Sequence, residues 1–294
     1  MSAARRAHDA ALRPGEGAPA AQAANECSAA ARPASGAAAP NAAGSNSAEL
    51  HVLWHDLECG AYAADLPLWR ELAGEAGGPP GPLLDVGCGS GRVALELARA
   101  GYDIVGLDRD PLLLAALRER AGDAAIETAP ADACDFALGR RFALVLAPMQ
   151  TVQLLGGRER RTAFLRCALA HLRPGGLLAC AIADALEGFD AEHAEPPLPD
   201  VIERDGWVYA SQPVAVRPGA EGTTIERIRQ TVSPDGARTT DGDAVVLDRV
   251  DSDALEAEGV AAGLLAAGRR FVEMTDDHVG SEIVLWRAPE AADG

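Results

Sequence analysis

The sequence predicts an α/β protein built on a doubly wound, mostly parallel sheet, with a closing antiparallel hairpin and an inserted antiparallel β ribbon. Three observations predict it. Between Pro82 and Ala183, short apolar runs alternate with amphipathic stretches across brief Gly- and Pro-marked connections, the pattern of buried strands joined by crossover helices. A glycine-rich turn, Gly87-Cys88-Gly89-Ser90-Gly91, sits at the first strand-to-helix junction. After Asp184 the rhythm breaks into Val-, Thr- and Ile-rich runs separated by Pro-Gly and Pro-Asp-Gly turns, as in antiparallel hairpins.

The elements follow in order. Residues 1–47 are Ala-, Pro-, Gly-, Ser- and Asn-rich with no apolar period, and read as a disordered tail. Residues 48–82 carry apolar residues at helical spacing, with Leu66, Leu68, Trp69 and Leu72 on one face, until the Gly77–Pro82 run ends the helix. The core, 83–185, reads strand Pro82–Val86, helix Arg92–Ala100 and strand Tyr102–Leu107. Helix Pro111–Arg120 follows with Asp110 as N-cap, then strand Ala124–Ala129, strand Phe142–Ala147, helix Glu159–Leu172 and strand Leu177–Ala183. Residues 186–250 form the ribbon, and 251–289 complete the core through a helix over Ser252–Ala267 and strands Arg270–Met274 and Ser281–Trp286.

Composition narrows the function classes. The chain has 294 residues, 48% of them hydrophobic, with 44 acidic and 26 basic side chains and a net charge of −18; every basic residue is Arg. Nucleic-acid binders neutralise phosphates with a basic face, so the acidity argues against that partner; an acidic surface is commonly one of solubility alone, with steering of a cationic substrate the alternative. No apolar run is long enough for a membrane span. Arg5 and Arg6 have no apolar stretch behind them, so no secretion signal is expected. The six cysteines form no C-x-x-C and have no His at metal-ligand spacing. They read as reduced thiols in a cytoplasmic protein without a metal.

The chemistry concentrates in Leu83-Leu84-Asp85-Val86-Gly87-Cys88-Gly89-Ser90-Gly91-Arg92. Glycines let the backbone turn sharply and approach a ligand, and the following helix start offers free N–H groups to an anion. The dinucleotide fingerprint G-x-G-x-x-G fails, because Arg92 stands where its last glycine belongs.

This stretch resembles the first motif of the class I methyltransferases dependent on S-adenosylmethionine (SAM), which have a Rossmann-like fold. The likeness extends through the acid after the second strand (Asp108 in VGLDRD), an acid after the third (Asp132 in APADACDF), the loop after FALVLA, and HLRPGG. It implies SAM as cofactor, held by Asp85, Gly87, Cys88, Gly89, Gly91, Asp108, Arg109, Asp132, Ala133, Pro148 and Met149. In that family Asp108 would take the ribose hydroxyls and Asp132 would lie by the adenine. Asp123 and Asp135 are alternatives to Asp132, and Asp85 has the alternative of supporting the glycine loop. Residues 48–82, with Trp54, His55 and Tyr62, resemble the family's lid helices.

Ligands of open α/β sheets lie beyond the carboxyl ends of the strands, which places the acceptor near Gln150 and Gln153, with Tyr62 of the lid and Trp207 of the ribbon. Ala147-Pro148-Met149-Gln150 departs from the Asn/Asp-Pro-Pro-aromatic motif of the family's adenine and glutamine enzymes. Asp276, Asp277 and His278 are expected in the turn of the closing hairpin, with His278 the candidate base, since imidazole titrates near ~6.5. The expected activity is methyl transfer to a small-molecule acceptor, by a monomer or homodimer. Two alternatives stand: a nicotinamide-dependent oxidoreductase on the same fold, or a SAM-binding protein without turnover.

Overall fold

The computed structural model describes residues 47–124, 126–183, 188–192, 194–220, 222–275 and 278–291. The strands are β1 Pro82–Val86, β2 Asp103–Asp108, β3 Ile126–Pro130, β4 Phe142–Ala147, β5 Leu172–Ile182, β6 Phe189–Asp190, β7 Asp200–Arg204, β8 Trp207–Pro218, β9 Gly222–Val232, β10 Arg238–Asp248, β11 Leu265–Val272 and β12 Ser281–Arg287. The helices are α1 Ser47–His55, α2 Leu66–Glu75, α3 Arg92–Arg99, α4 Pro111–Ala121, α5 Arg158–His171 and α6 Ser252–Ala261. A π turn, Asp56–Gly60, continues α1, and a 3₁₀ turn, Thr151–Leu154, follows β4.

The main sheet has the order β11-β12-β5-β4-β1-β2-β3, with β1 to β5 parallel and β12 antiparallel to β5 and β11. This is the expected Rossmann-like sheet with its closing hairpin. Its strands are apolar on both faces because helices cover both. Leu84, Val86, Val145, Leu178, Cys180, Val284 and Trp286 point to one layer, packed with Phe164 and Leu165 of α5 and Leu255 of α6. Their chain neighbours Leu83, Leu144, Leu146, Leu177, Ile283 and Leu285 point to the other, packed with Trp69 and Leu72 of α2, Leu97 of α3 and Leu114 of α4. The period of two that turns successive side chains to opposite faces thus supplies two cores from one set of strands.

β1 is flanked by β2 on one side and β4 on the other. The chain order reverses there, so a crevice opens at the carboxyl ends of the two strands. Asp110 caps α4, accepting hydrogen bonds from the Leu112 and Leu113 amides, and Pro111 begins the helix.

Several boundaries differ from the sequence-based expectations. Ser47 opens α1 rather than ending the tail; residues 1–46 lie outside the described residues. The expected helix over Ser252–Ala267 ends at Ala261, and Leu265 already belongs to β11. Leu264 and Leu265 fit a helical period, but Gly263 takes φ +103 and breaks it, and β12 needs an outer strand to pair its backbone. β5 begins at Leu172, so the Pro-Gly-Gly run is an irregular strand start with a register shift, not a separate loop. The ribbon is a five-stranded sheet, β10-β9-β8-β6 with β7 also on β8.

The inserted sheet is tied to the core by a buried ion cluster. Arg161 of α5 donates to Glu258 of α6 through Nε and Nη2, both at 2.9 Å, and to Asp248 of β10 at 3.1 Å. Asp248 also accepts from the Gly156 and Gly157 amides.

Candidate active site

A cavity of about 650 Å³ opens at the carboxyl ends of β1 and β2, within the range of small-molecule sites. Gly87, Asp108, Arg109, Asp132 and Ala133 line its core side, Thr151 and Leu154 its floor, and His51, Trp54, His55, Glu58 and Cys59 its roof; Arg229 and Asp243 of the inserted sheet close the far end.

The glycine loop is built as its sequence requires. Gly87, Gly89 and Gly91 have φ of +72, +54 and +99, a region that side-chain-bearing residues rarely adopt. A Cβ on Gly87 would meet Thr151 at 2.6 Å, one on Gly89 would meet the His55 ring at 2.6 Å, and one on Gly91 would overlap Leu117. Asp108 organises this loop from the end of β2: one oxygen accepts from the Gly89 amide and the other from the Asp110 amide, both at 2.9 Å. A carboxylate has about four acceptor positions, so Asp108 retains capacity for a hydroxyl pair. Asp85 lies beneath the loop, 1% exposed, and neither carboxylate oxygen has a hydrogen-bond partner among the described residues. Burial pushes its pKa up to about 8; Arg92 pulls the other way and the Asp108 charge adds to the rise. It does not line the cavity, and no hydrogen bond joins it to the loop among the described residues.

Asp132 reaches the cavity edge but is engaged. It accepts two hydrogen bonds from Arg160 and one from the Cys134 amide, and these hold its carboxyl below the usual range. After β4, Met149 takes φ 54, an uncommon conformation for a residue with a side chain.

The roof is one continuous helical face. His51, Trp54, His55 and Glu58 recur at the i, i+3, i+4, i+7 spacing that aligns side chains, carried through α1 into the π turn. His51 contacts Asp110 at 2.7 Å. Asp56 accepts from Ser90 Oγ at 2.6 Å and pairs with Arg120. Burial would raise the Asp56 pKa, but the hydrogen bonds from His55, Arg120 and Ser90 outweigh it and hold the carboxyl far below the usual range. Glu58 takes both oxygens to Arg229 at 2.7 Å and accepts from Ser211 at 2.8 Å. Burial raises its pKa, while Arg229, Ser211 and the Arg227 charge overcome that and lower it. Trp54 meets Tyr209 edge-on at 5.7 Å, with Arg229 stacked over its ring. The roof is thus latched to α4 on one side and to the inserted sheet on the other.

Other expected residues stand elsewhere. Gln153 is 3% exposed, and its amide both donates to the Ala183 carbonyl and accepts from the Ala183 amide; it ties the end of β5 and does not line the cavity. Tyr62 is buried under Arg92, with its ring 5.0 Å from that of His278. Neither of these two lines the cavity, nor do Gln150 and Trp207. Asp276 and Asp277 lie outside the described residues. The inserted-sheet aromatic against the roof is Tyr209, two residues further along β8 than Trp207. Glu58, Arg229 and Asp243 carried no sequence signal: they meet only because a turn and two strands far apart in the chain fold together.

Residues 83–176 match the Methyltransferase domain family. That stretch is similar to a methyltransferase domain. The match favours the methyltransferase reading of the glycine loop over the nicotinamide one.

Over 134 residues the chain is 32% identical to a cypemycin N-terminal methyltransferase from Streptomyces sp, covering 44% of this chain and 53% of that protein. Over 171 residues it is 29% identical to a dTDP-3-amino-3,4,6-trideoxy-alpha-D-glucopyranose N,N-dimethyltransferase from Streptomyces venezuelae, covering 58% and 63%. The matches thus span less than two thirds of either relative. The fold resembles that of a SAM-bound amino pentose methyltransferase from Micromonospora echinaspora, with a TM-score of 0.62 at 20% identity over 80% of this chain and 96% of that one.

Proposed function

We propose that the protein transfers a methyl group from SAM to a small-molecule acceptor. The observation that carries this reading is one cavity running from the glycine loop and Asp108 to the roof helix and inserted sheet. The residues fit the cosubstrate. Gly87 lines the cavity with its backbone, Asp108 at the end of β2 has acceptor positions for a ribose diol, and Arg109, Asp132 and Ala133 line the end where a base would lie. Cys88 and Gly91 belong to the loop, Asp85 is buried behind it, and Pro148 and Met149 follow β4; none of these lines the cavity.

When bound, SAM supplies an electrophilic methyl on a sulfonium for in-line displacement. The chain contributes orientation and exclusion of water. The glycine loop and Asp108 position the donor. The roof, held by Asp56–Arg120 and Glu58–Arg229, closes the cavity over it. The acceptor enters at the end formed by Trp54, Glu58, Arg229 and Asp243. Both curated relatives above act on nitrogen by name, which supports an amine among the acceptors to test first. The acceptor class and the acidic surface support a cytoplasmic protein, monomeric or homodimeric, that does not engage nucleic acid or membrane. Among the described residues no helix is long and apolar enough to cross a membrane.

Isothermal titration of the whole protein with S-adenosylhomocysteine (SAH), NADH and NADPH tests the reading. Micromolar binding of SAH alone is expected. Binding of a nicotinamide instead, or of none of the three, overturns it.

A further inference from the structure

His55 of the roof packs against the glycine loop. His55 presents its Cε1–Nε2 edge to Gly89, where each of these atoms would lie 2.6 Å from an added Cβ. The missing side chain of Gly89 is therefore what admits the imidazole. The other ring nitrogen, Nδ1, faces Ser90 Oγ at 3.4 Å and Asp56 at 3.7 Å. Asp56 is itself fixed by Arg120 and Ser90, so the ring is held from behind and its Nε2 edge is turned to the loop and cavity.

The roof helix also runs along the cavity in register with the parts of an adenosyl ligand. His51 sits beside Asp110, next to Asp108 and Arg109, at the nucleoside end. Glu58 sits at the inserted sheet, at the acceptor end. His55 lies between them, over the loop. Gly87 and His55 both line the cavity, so with the ribose at Asp108 the amino-acid end of the ligand lies at Gly87, beside the Nε2 edge of that imidazole.

We infer that His55 is a cosubstrate-binding residue, which donates a hydrogen bond from the roof to the amino-acid end of SAM or SAH. The inference rests on the methyl-transfer reading and adds a contact supplied by an element outside residues 83–176. The Asp56–Arg120 pair holds the roof turn that carries this imidazole.

Two ligands separate this role from a packing role. SAH carries the amino-acid end, and 5′-methylthioadenosine has the same nucleoside and thioether sulfur without it. Both are titrated calorimetrically into the full-length protein and into His55→Ala and His55→Gln. In His55→Ala, SAH is expected to bind about tenfold or more weakly, the loss of roughly one charge-assisted hydrogen bond, while methylthioadenosine stays within about twofold. His55→Gln, which retains a donor, is expected to recover part of the SAH affinity. Equal weakening of both ligands would mean that His55 only packs the roof, and no weakening of either would mean that it contacts nothing; each result overturns the inference. If the unmodified protein binds neither ligand, the methyl-transfer reading itself fails, and that titration is read before any variant.

Discussion

At the scale of single residues, the site is set by groups that are strained, buried or unusually close. Gly89 combines a left-handed backbone with a neighbouring imidazole that leaves no room for a Cβ. Gly89→Val should displace His55 and narrow the loop, weakening SAH by about tenfold or more with the fold retained; circular dichroism and calorimetry on the same sample check it, and unchanged affinity would move the site elsewhere. Asp85 is the second such residue. Its pKa of about 8 in the folded protein lies above the ~3.9 of an unfolded chain. Below ~4 both states hold the proton. Between there and about 8 only the folded state does, so stability falls as pH rises, by up to about 1.4 kcal/mol per unit. Asp85→Asn removes this dependence. Its stability advantage over the unmodified protein should grow as the pH is raised from acid to mildly alkaline, read from urea midpoints. Parallel pH profiles would show that the carboxyl is ionised and solvated.

At the scale of elements, the inserted sheet depends on Arg161. This guanidinium, 5% exposed, serves Glu258, itself 7% exposed, and Asp248. Removing one partner of a buried pair leaves an uncompensated charge and costs about 3–5 kcal/mol. Arg161→Ala is therefore expected to lose that much stability, measured by chemical denaturation, and to loosen β10 where Asp248 ends it. A loss under about 1 kcal/mol, the range of a surface pair, would show that water reaches the cluster. The expected helix over Ser252–Ala267 failed at this same scale. Local apolar spacing cannot register that β12 needs a partner, and the backbone demand of a sheet edge outweighs a weak helical preference.

At the scale of the whole molecule, the net charge of −18 surrounds a cavity that takes a cationic donor. Long-range attraction raises association rates and is screened by salt, with a Debye length of about 30 Å at 0.01 M and about 8 Å at 0.15 M. SAM, with one positive charge more than SAH, should associate severalfold more slowly at the higher salt, while SAH, with no net charge, changes less. Stopped-flow binding of both ligands tests this, and identical salt dependence would remove steering from the account.

The sequence by itself determined the parallel core, the order of its elements, and the glycine loop with Asp108, because each is local. A period of two, a period near four, and a run of glycines are read within a few residues, and β1, β4 and the loop were found where their residues predicted. Only the tertiary structure decided the rest of the site. It brought Glu58, Arg229 and Asp243 together, seated His55 on Gly89, and turned Gln153 and His278 to other partners. These are contacts between residues as far apart in the chain as Tyr62 and His278. Their formation depends on packing between elements, which leaves no periodic trace in either segment alone.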